Sequence, residues 1–147
     1  MLLPTIQPWN INRLLRPFVA IHLFRYISLS LLIPGITKAG AILPQSHIYR
    51  LAGGDVASSL LAMCALTALY LKWDKALYVV ILLNIVGLLD LLLATVYDMP
   101  LLGMELSKLD ARMFGLLTTF IPLVFVSHVF MVQTLWKHFR ATKSFKI

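Results

Sequence analysis

Residues 76–97 read ALYVVILLNIVGLLDLLLATVY. A helix needs about 20 predominantly apolar residues to cross the roughly 30 Å hydrocarbon core of a bilayer, and this stretch supplies them with two polar interruptions, Asn84 and Asp90. Three further apolar runs of near-spanning length lie at 16–34, 55–71 and 113–136. The reading is an all-α, up-down four-helix transmembrane bundle. The run at 55–71 is the shortest, and the Gly53-Gly54 pair before it serves to start a helix or to let backbones approach closely.

Composition agrees. The chain has 147 residues, of which 60% are hydrophobic and 13% charged. Soluble domains carry roughly 45–50% apolar and about 25% charged residues, so this chain lacks the polar side chains to cover a surface in water. Four spans with short loops consume most of the length, which leaves no room for a separate soluble catalytic domain. The net charge is +7, from 13 Lys+Arg against 6 Asp+Glu. Most of those cations flank the apolar runs, where they act as orientation signals rather than as a nucleic-acid footprint. Cys64 is the single cysteine, with no disulfide or CxxC partner, and reads as a small core residue.

Orientation follows from the same cations. One face receives Arg13, Arg16, Lys72, Lys75, Lys137, Arg140, Lys143 and Lys146, while the other receives Lys38, Arg50, Lys108 and Arg112. The positive-inside rule puts both termini in the cytoplasm of a plasma (inner) membrane protein, and Trp9, Trp73 and Trp136 fall at that same boundary. The expected organisation is an interfacial N-terminal segment over 1–15, a transmembrane domain over 16–136 and a basic cytoplasmic tail over 137–147. His22 and Arg25 interrupt the first run, which argues for a retained helix rather than a cleaved leader despite Ala39-Gly40-Ala41. The loop over 35–54 is expected to fold back as a cap. Ser107-Lys108-Leu109-Asp110 is a candidate start for the fourth helix.

The informative residues are polar ones inside apolar runs. An Arg or Asp at mid-helix costs about 2.5–3.5 kcal/mol on an insertion scale, so such groups are expected to face the bundle interior. At about 1.5 Å per residue, His22, Arg25, Asn84 and His128 lie about 9–13 Å above the cytoplasmic boundary, with Asp90 higher at about 21 Å. His22, Arg25 and Leu29 share one α-helical face by their spacing, and Gly87 lets a neighbour approach between Asn84 and Asp90. Asp55 is expected at the start of the second helix, near the outer surface. Pro122 is expected to kink the fourth helix and free a carbonyl near residue 118.

Four readings of this cluster remain open on sequence alone. It is packing glue between helices; or a small-molecule, lipid or ion site formed by Arg25, Asn84, Asp90, His128 and His22, with Arg25 as a fixed cation for an anionic or carbonyl-bearing ligand; or a b-type haem site with His22 and His128 as axial ligands; or part of an accessory subunit that meets a membrane-complex partner or a second copy of the chain. No GxSxG, P-loop, HExxH or GxGxxG motif is present, and Ser127-His128 adjacency does not make a nucleophile and base, because helical neighbours point about 100° apart. Ligand binding or an accessory role is preferred over catalysis.

The strings Ile21-His22-Leu23-Phe24-Arg25, Leu43-Pro44, Ala52-Gly53-Gly54-Asp55, Asn84-Ile85-Val86-Gly87-Leu88-Leu89-Asp90-Leu91, Ile121-Pro122 and Ser127-His128 together resemble a family of small, uncharacterised bacterial four-span membrane proteins. The resemblance covers most of residues 18–136. It implies a four-helix bundle with a polar interior and brings no reaction with it.

Overall fold

The computed structural model describes residues 10–33, 36, 42–104 and 111–144. Four helices within them are long and apolar enough to cross a membrane: the first over Ile11–Leu32, the second over Gln45–Tyr70, the third over Ala76–Gly103 and the fourth over Leu117–Ala141. Each runs antiparallel to its chain neighbour. Arg16 reaches Leu69 and Arg25 reaches Asp55 between the first two, and His128 meets Asn84 between the last two. Phe18 stacks on Phe130, with ring centroids 5.3 Å apart, and closes the ring of helices between the first and the fourth. The expected bundle is observed.

Its outer surface is apolar. Leu60, Tyr78, Ile85, Leu89, Leu92 and Phe125 are each more than half exposed, the arrangement of side chains that have lipid rather than water to contact. Tyr70, Trp73 and Trp136 also point outward, at the end of the bundle that carries the tight Lys72–Lys75 turn, here called the Trp73 end. Cys64, expected in the core, lies on this outward surface instead. The second helix turns Ala52, Ala62, Ala65 and Ala68 inward, and such small side chains let helix backbones come close.

The termini of the helices explain where sequence and structure part. Asn10 caps the first helix, its side chain accepting from the Asn12 amide at 3.1 Å, so the helix begins at Ile11 inside the segment expected to lie on the membrane surface. The second helix begins at Gln45, not at Asp55. Extended Pro44 precedes it, and the Pro44 carbonyl accepts from the His47 amide at 2.9 Å, so half of the expected cap loop is helical. Asp55 therefore sits ten residues into a helix, about 15 Å from its start, rather than near the surface. The first nine residues, Ala39-Gly40-Ala41 and Ser107–Asp110 lie outside the described residues.

Three stretches depart from α-helical winding. The first helix becomes a 3-10 helix over His22–Leu32, and the third and fourth carry π turns over Ala94–Asp98 and Leu116–Phe120. The second π turn ends just before Pro122, so the missing amide is accommodated by a widened turn. Thr95 and Thr118 hydroxyls donate to the carbonyls of Leu91 and Phe114 at 2.7 and 2.8 Å, as expected of hydroxyls inside apolar helices.

Two apolar clusters fill the interior. Leu15, Val19, Leu69, Val80, Leu83 and Met131 close the Trp73 end, and Leu31, Leu43, Ile48 and Leu102 pack at the other. A polar layer lies between them.

Candidate functional site

The 3-10 winding of the first helix builds the site. Three residues per turn stack every third side chain on one edge, and His22, Arg25, Ser28 and Leu31 are the buried residues of this stretch. In an α-helix the same spacing would drift round the axis, which is why Leu29 was expected on this face. Leu29 instead points outward at 43% exposure, and Ser28 takes its place. An 11-residue 3-10 helix is long for its kind. Where the winding changes, the carbonyls of His22 and Leu23 receive the Ser59 hydroxyl at 3.3 and 3.4 Å, a bond from the second helix that satisfies groups the change sets free.

Arg25 is the centre of the ionic part. Its Nε donates to Asp55 Oδ1 at 2.6 Å, its Nη2 donates to Asp90 Oδ2, and its Nη1 donates to the Gly87 carbonyl at 3.4 Å. The guanidinium is 2% exposed. Gly54 makes the geometry possible, since a β-carbon there would occupy the space of the Asp90 carboxylate. Arg25 thus pairs with Asp90, and with Asp55 as a second partner that the expected helix start at Asp55 concealed. One guanidinium faces two carboxylates. Unless a proton or cation joins them, the group carries one net negative charge in a region where unpaired charge costs several kcal/mol.

A second, uncharged network adjoins it on the Trp73 side. Asn84 Nδ2 donates to the Val80 carbonyl at 2.9 Å; a carbonyl only accepts, so the amide nitrogen faces it and Oδ1 faces His128. His128 Nδ1 lies 3.0 Å from that oxygen and carries a proton toward it, while its buried Nε2 has no partner. His22 Nε2 lies 2.7 Å from the Ser127 hydroxyl, and its Nδ1 is likewise buried and unpartnered. Ser127 therefore serves the histidine of another helix, not its neighbour.

This arrangement bears on the haem alternative. Two axial histidines must approach an iron end-on from opposite faces of a porphyrin. The His22 and His128 rings instead touch each other, with centroids 4.2 Å apart and planes tilted by 52°, and Ser127 holds the nitrogen that His22 would offer. The residues do not fit that group.

Above the ion pair lies a cavity of about 60 Å³. Arg25, Asp55 and Asp90 form its floor, and Leu31, Leu51, Ala94, Leu102, Phe120 and Val124 are among its walls. Drug-sized ligands occupy roughly 300–1,000 Å³, whereas a water needs only about 10–15 Å³ measured this way, so the space suits a few waters or one small cation. A lipid chain does not fit. Nor does an anion suit the floor, because the guanidinium expected to receive one already has two carboxylate partners.

Sequence reasoning missed a further ionic group between the cavity and the end opposite Trp73. Asp98, fully buried, accepts on Oδ1 from Arg50 Nη2 and from His47 Nδ1, the latter at 2.7 Å. Arg50 also stacks over the Tyr97 ring at 5.1 Å. The spacing Asn84, Gly87, Asp90, Ala94, Asp98 was the available signal: polar and small residues three or four apart form one helical face. All five residues expected at a site, His22, Arg25, Asn84, Asp90 and His128, are brought into this one polar layer.

Residues 1–136 match the domain of unknown function DUF8737, and the chain belongs to that family. No curated protein and no solved structure matches it.

Proposed function

We propose that this DUF8737 member is a four-span protein of the plasma membrane that holds one proton or one small monovalent cation at mid-bilayer, on the carboxylates of Asp55 and Asp90. Its termini are cytoplasmic, since the Trp73 end carries the larger share of Lys and Arg. The observation that carries this reading is the stoichiometry of the floor: a single buried guanidinium bridges two partly buried carboxylates beneath a cavity of cation size. Intramembrane carboxylates that exceed their counter-cations are neutralised by whatever small positive species reaches them, and that requirement makes the group a binding site as well as a fastening between helices. Arg25 tunes the site by preventing both carboxylates from needing a proton at once. The size of the cavity favours an ion over the lipid or larger molecule that the sequence also allowed.

Proton release tests the reading. Sodium or potassium chloride is added to the purified chain in weakly buffered detergent while pH is recorded. One proton per chain should be released if the cation displaces it, and none should be released from Asp90→Asn. Release of equal size from wild type and Asp90→Asn contradicts a site at this carboxylate. If no salt releases a proton, the infrared signature of a protonated carboxyl identifies the proton as the occupant, and its absence ends the proposal.

A further inference from the structure

We infer that His47 and Asp98 form the port through which the proton of the mid-bilayer site exchanges with the side of the membrane opposite Trp73. This inference rests on the site reading above and adds its route.

Asp98 ends the π turn of the third helix and is 0% exposed. Its Oδ1 is occupied by His47 and Arg50, yet its Oδ2 is buried with no partner. A buried carboxylate oxygen left without a hydrogen bond is costly, and a mobile proton or water is the partner that such an oxygen accommodates. His47 is 27% exposed while its Nδ1 touches Asp98, so it joins the surface to a buried carboxylate. Among ordinary side chains, imidazole is the one suited to pass protons near neutral pH, because each ring nitrogen can gain or lose one.

The port stands one helical turn beyond Leu51 and Ala94 of the cavity wall. Along the third helix Asp98 and Asp90 are eight residues apart, about 12 Å, with Ala94 between them in the cavity wall. Along the second helix His47 and Asp55 have the same separation, with Leu51 in the wall. The charge count couples the two levels: Arg25 and Arg50 face Asp55, Asp90 and Asp98, so one proton neutralises the set with His47 uncharged. No other element adds a titratable group there among the described residues; the second helix brings His47 and Arg50, the third brings Tyr97 under Arg50, and the first brings Arg25 at the floor. In the opposite direction the Leu15, Val19, Leu69, Val80, Leu83 and Met131 cluster seals the bundle below the histidines.

Transfer then conserves protons at each step. A solvent acid gives one to Nε2 of the His47 ring, the ring gives its Nδ1 proton to Asp98 Oδ1, and a half-turn of the Asp98 carboxyl carries that proton to the side of the unpartnered oxygen, from which water passes it to Asp90.

The test follows the infrared band of the protonated site carboxyl after a pH jump, in full-length protein held in lipid nanodiscs. His47→Gln keeps a hydrogen bond to Asp98 but cannot relay a proton; His47→Asn serves if the longer amide disturbs folding. The expected result is a rate of band change lower by on the order of a hundredfold, an unchanged final amplitude, and recovery on adding imidazole to the buffer. A His47→Gln rate close to wild type overturns the port, and so does a slow rate that imidazole leaves slow or an altered final amplitude. A wild-type band that never responds to pH removes the site itself, which separates the two failures.

Discussion

Gly87 lies directly against the His128 ring. A β-carbon at Gly87 would fall 2.5 Å from Cε1 and 2.6 Å from Nε2 of that imidazole, and 3.2 Å from Nη1 of Arg25. The third helix is thus bare where the ionic and the histidine networks meet, and the bareness is what lets the two share one layer.

Gly87→Ala should therefore destabilise the bundle by about 1–3 kcal/mol, the usual cost of overpacking a filled interior. Gly53→Ala is the control, since nothing lies within 4 Å of a β-carbon there; it should be neutral or gain about 0.5–1 kcal/mol from helix propensity. Thermal unfolding of the two variants in one detergent provides the comparison. Equal melting temperatures would show that the His128 contact is loose.

Removing Arg25 should cost far more than removing the whole ionic group. Arg25→Leu strands two carboxylates and should lose about 3–5 kcal/mol, whereas the triple change of Arg25, Asp55 and Asp90 to apolar residues should be neutral or stabilising. Measured unfolding free energies decide this. A triple variant as unstable as the single one would assign the lost stability to packing by the Arg25 stem.

The 3-10 winding makes a prediction about leucines. Leu31→Ala, in a buried cluster with Leu43, Ile48 and Leu102, should cost about 2 kcal/mol or more, and Leu29→Ala, which points outward, should cost little. An α-helical first span would reverse their order in the same unfolding measurement.

Purified protein should show no Soret band, and added haemin should produce no bis-histidine spectrum. The touching rings of His22 and His128 forbid it. A Soret band lost in both His22→Ala and His128→Ala would mean that the two rings separate in solution.

The four spans and the inward-facing Arg25, Asn84, Asp90, His22 and His128 were legible because hydrocarbon punishes exposed polar groups, and that rule needs no knowledge of tertiary contacts. Asp55 and Asp98 were not. Residues 45–54 carry Gln45, Ser46, His47 and Arg50, which read as loop, yet the helix there hides Ile48 and Ala52 and sends its polar groups to partners on other helices. The phase of the first helix was misread for a related reason. Its polar residues recur every three positions, and hydropathy alone does not tell a 3-10 ridge from one edge of an α-helical face.

With Arg25 facing Asp55 and Asp90, the floor is one positive charge short of neutrality. Infrared spectroscopy of the carboxyl groups in low-salt buffer tests it most directly, by comparing wild type with Asp55→Asn and Asp90→Asn between about pH 5 and pH 8. One protonated carboxyl per chain is expected in the wild type, removed by either substitution. A wild type whose carboxyls are all ionised, in the absence of any bound cation, would contradict it.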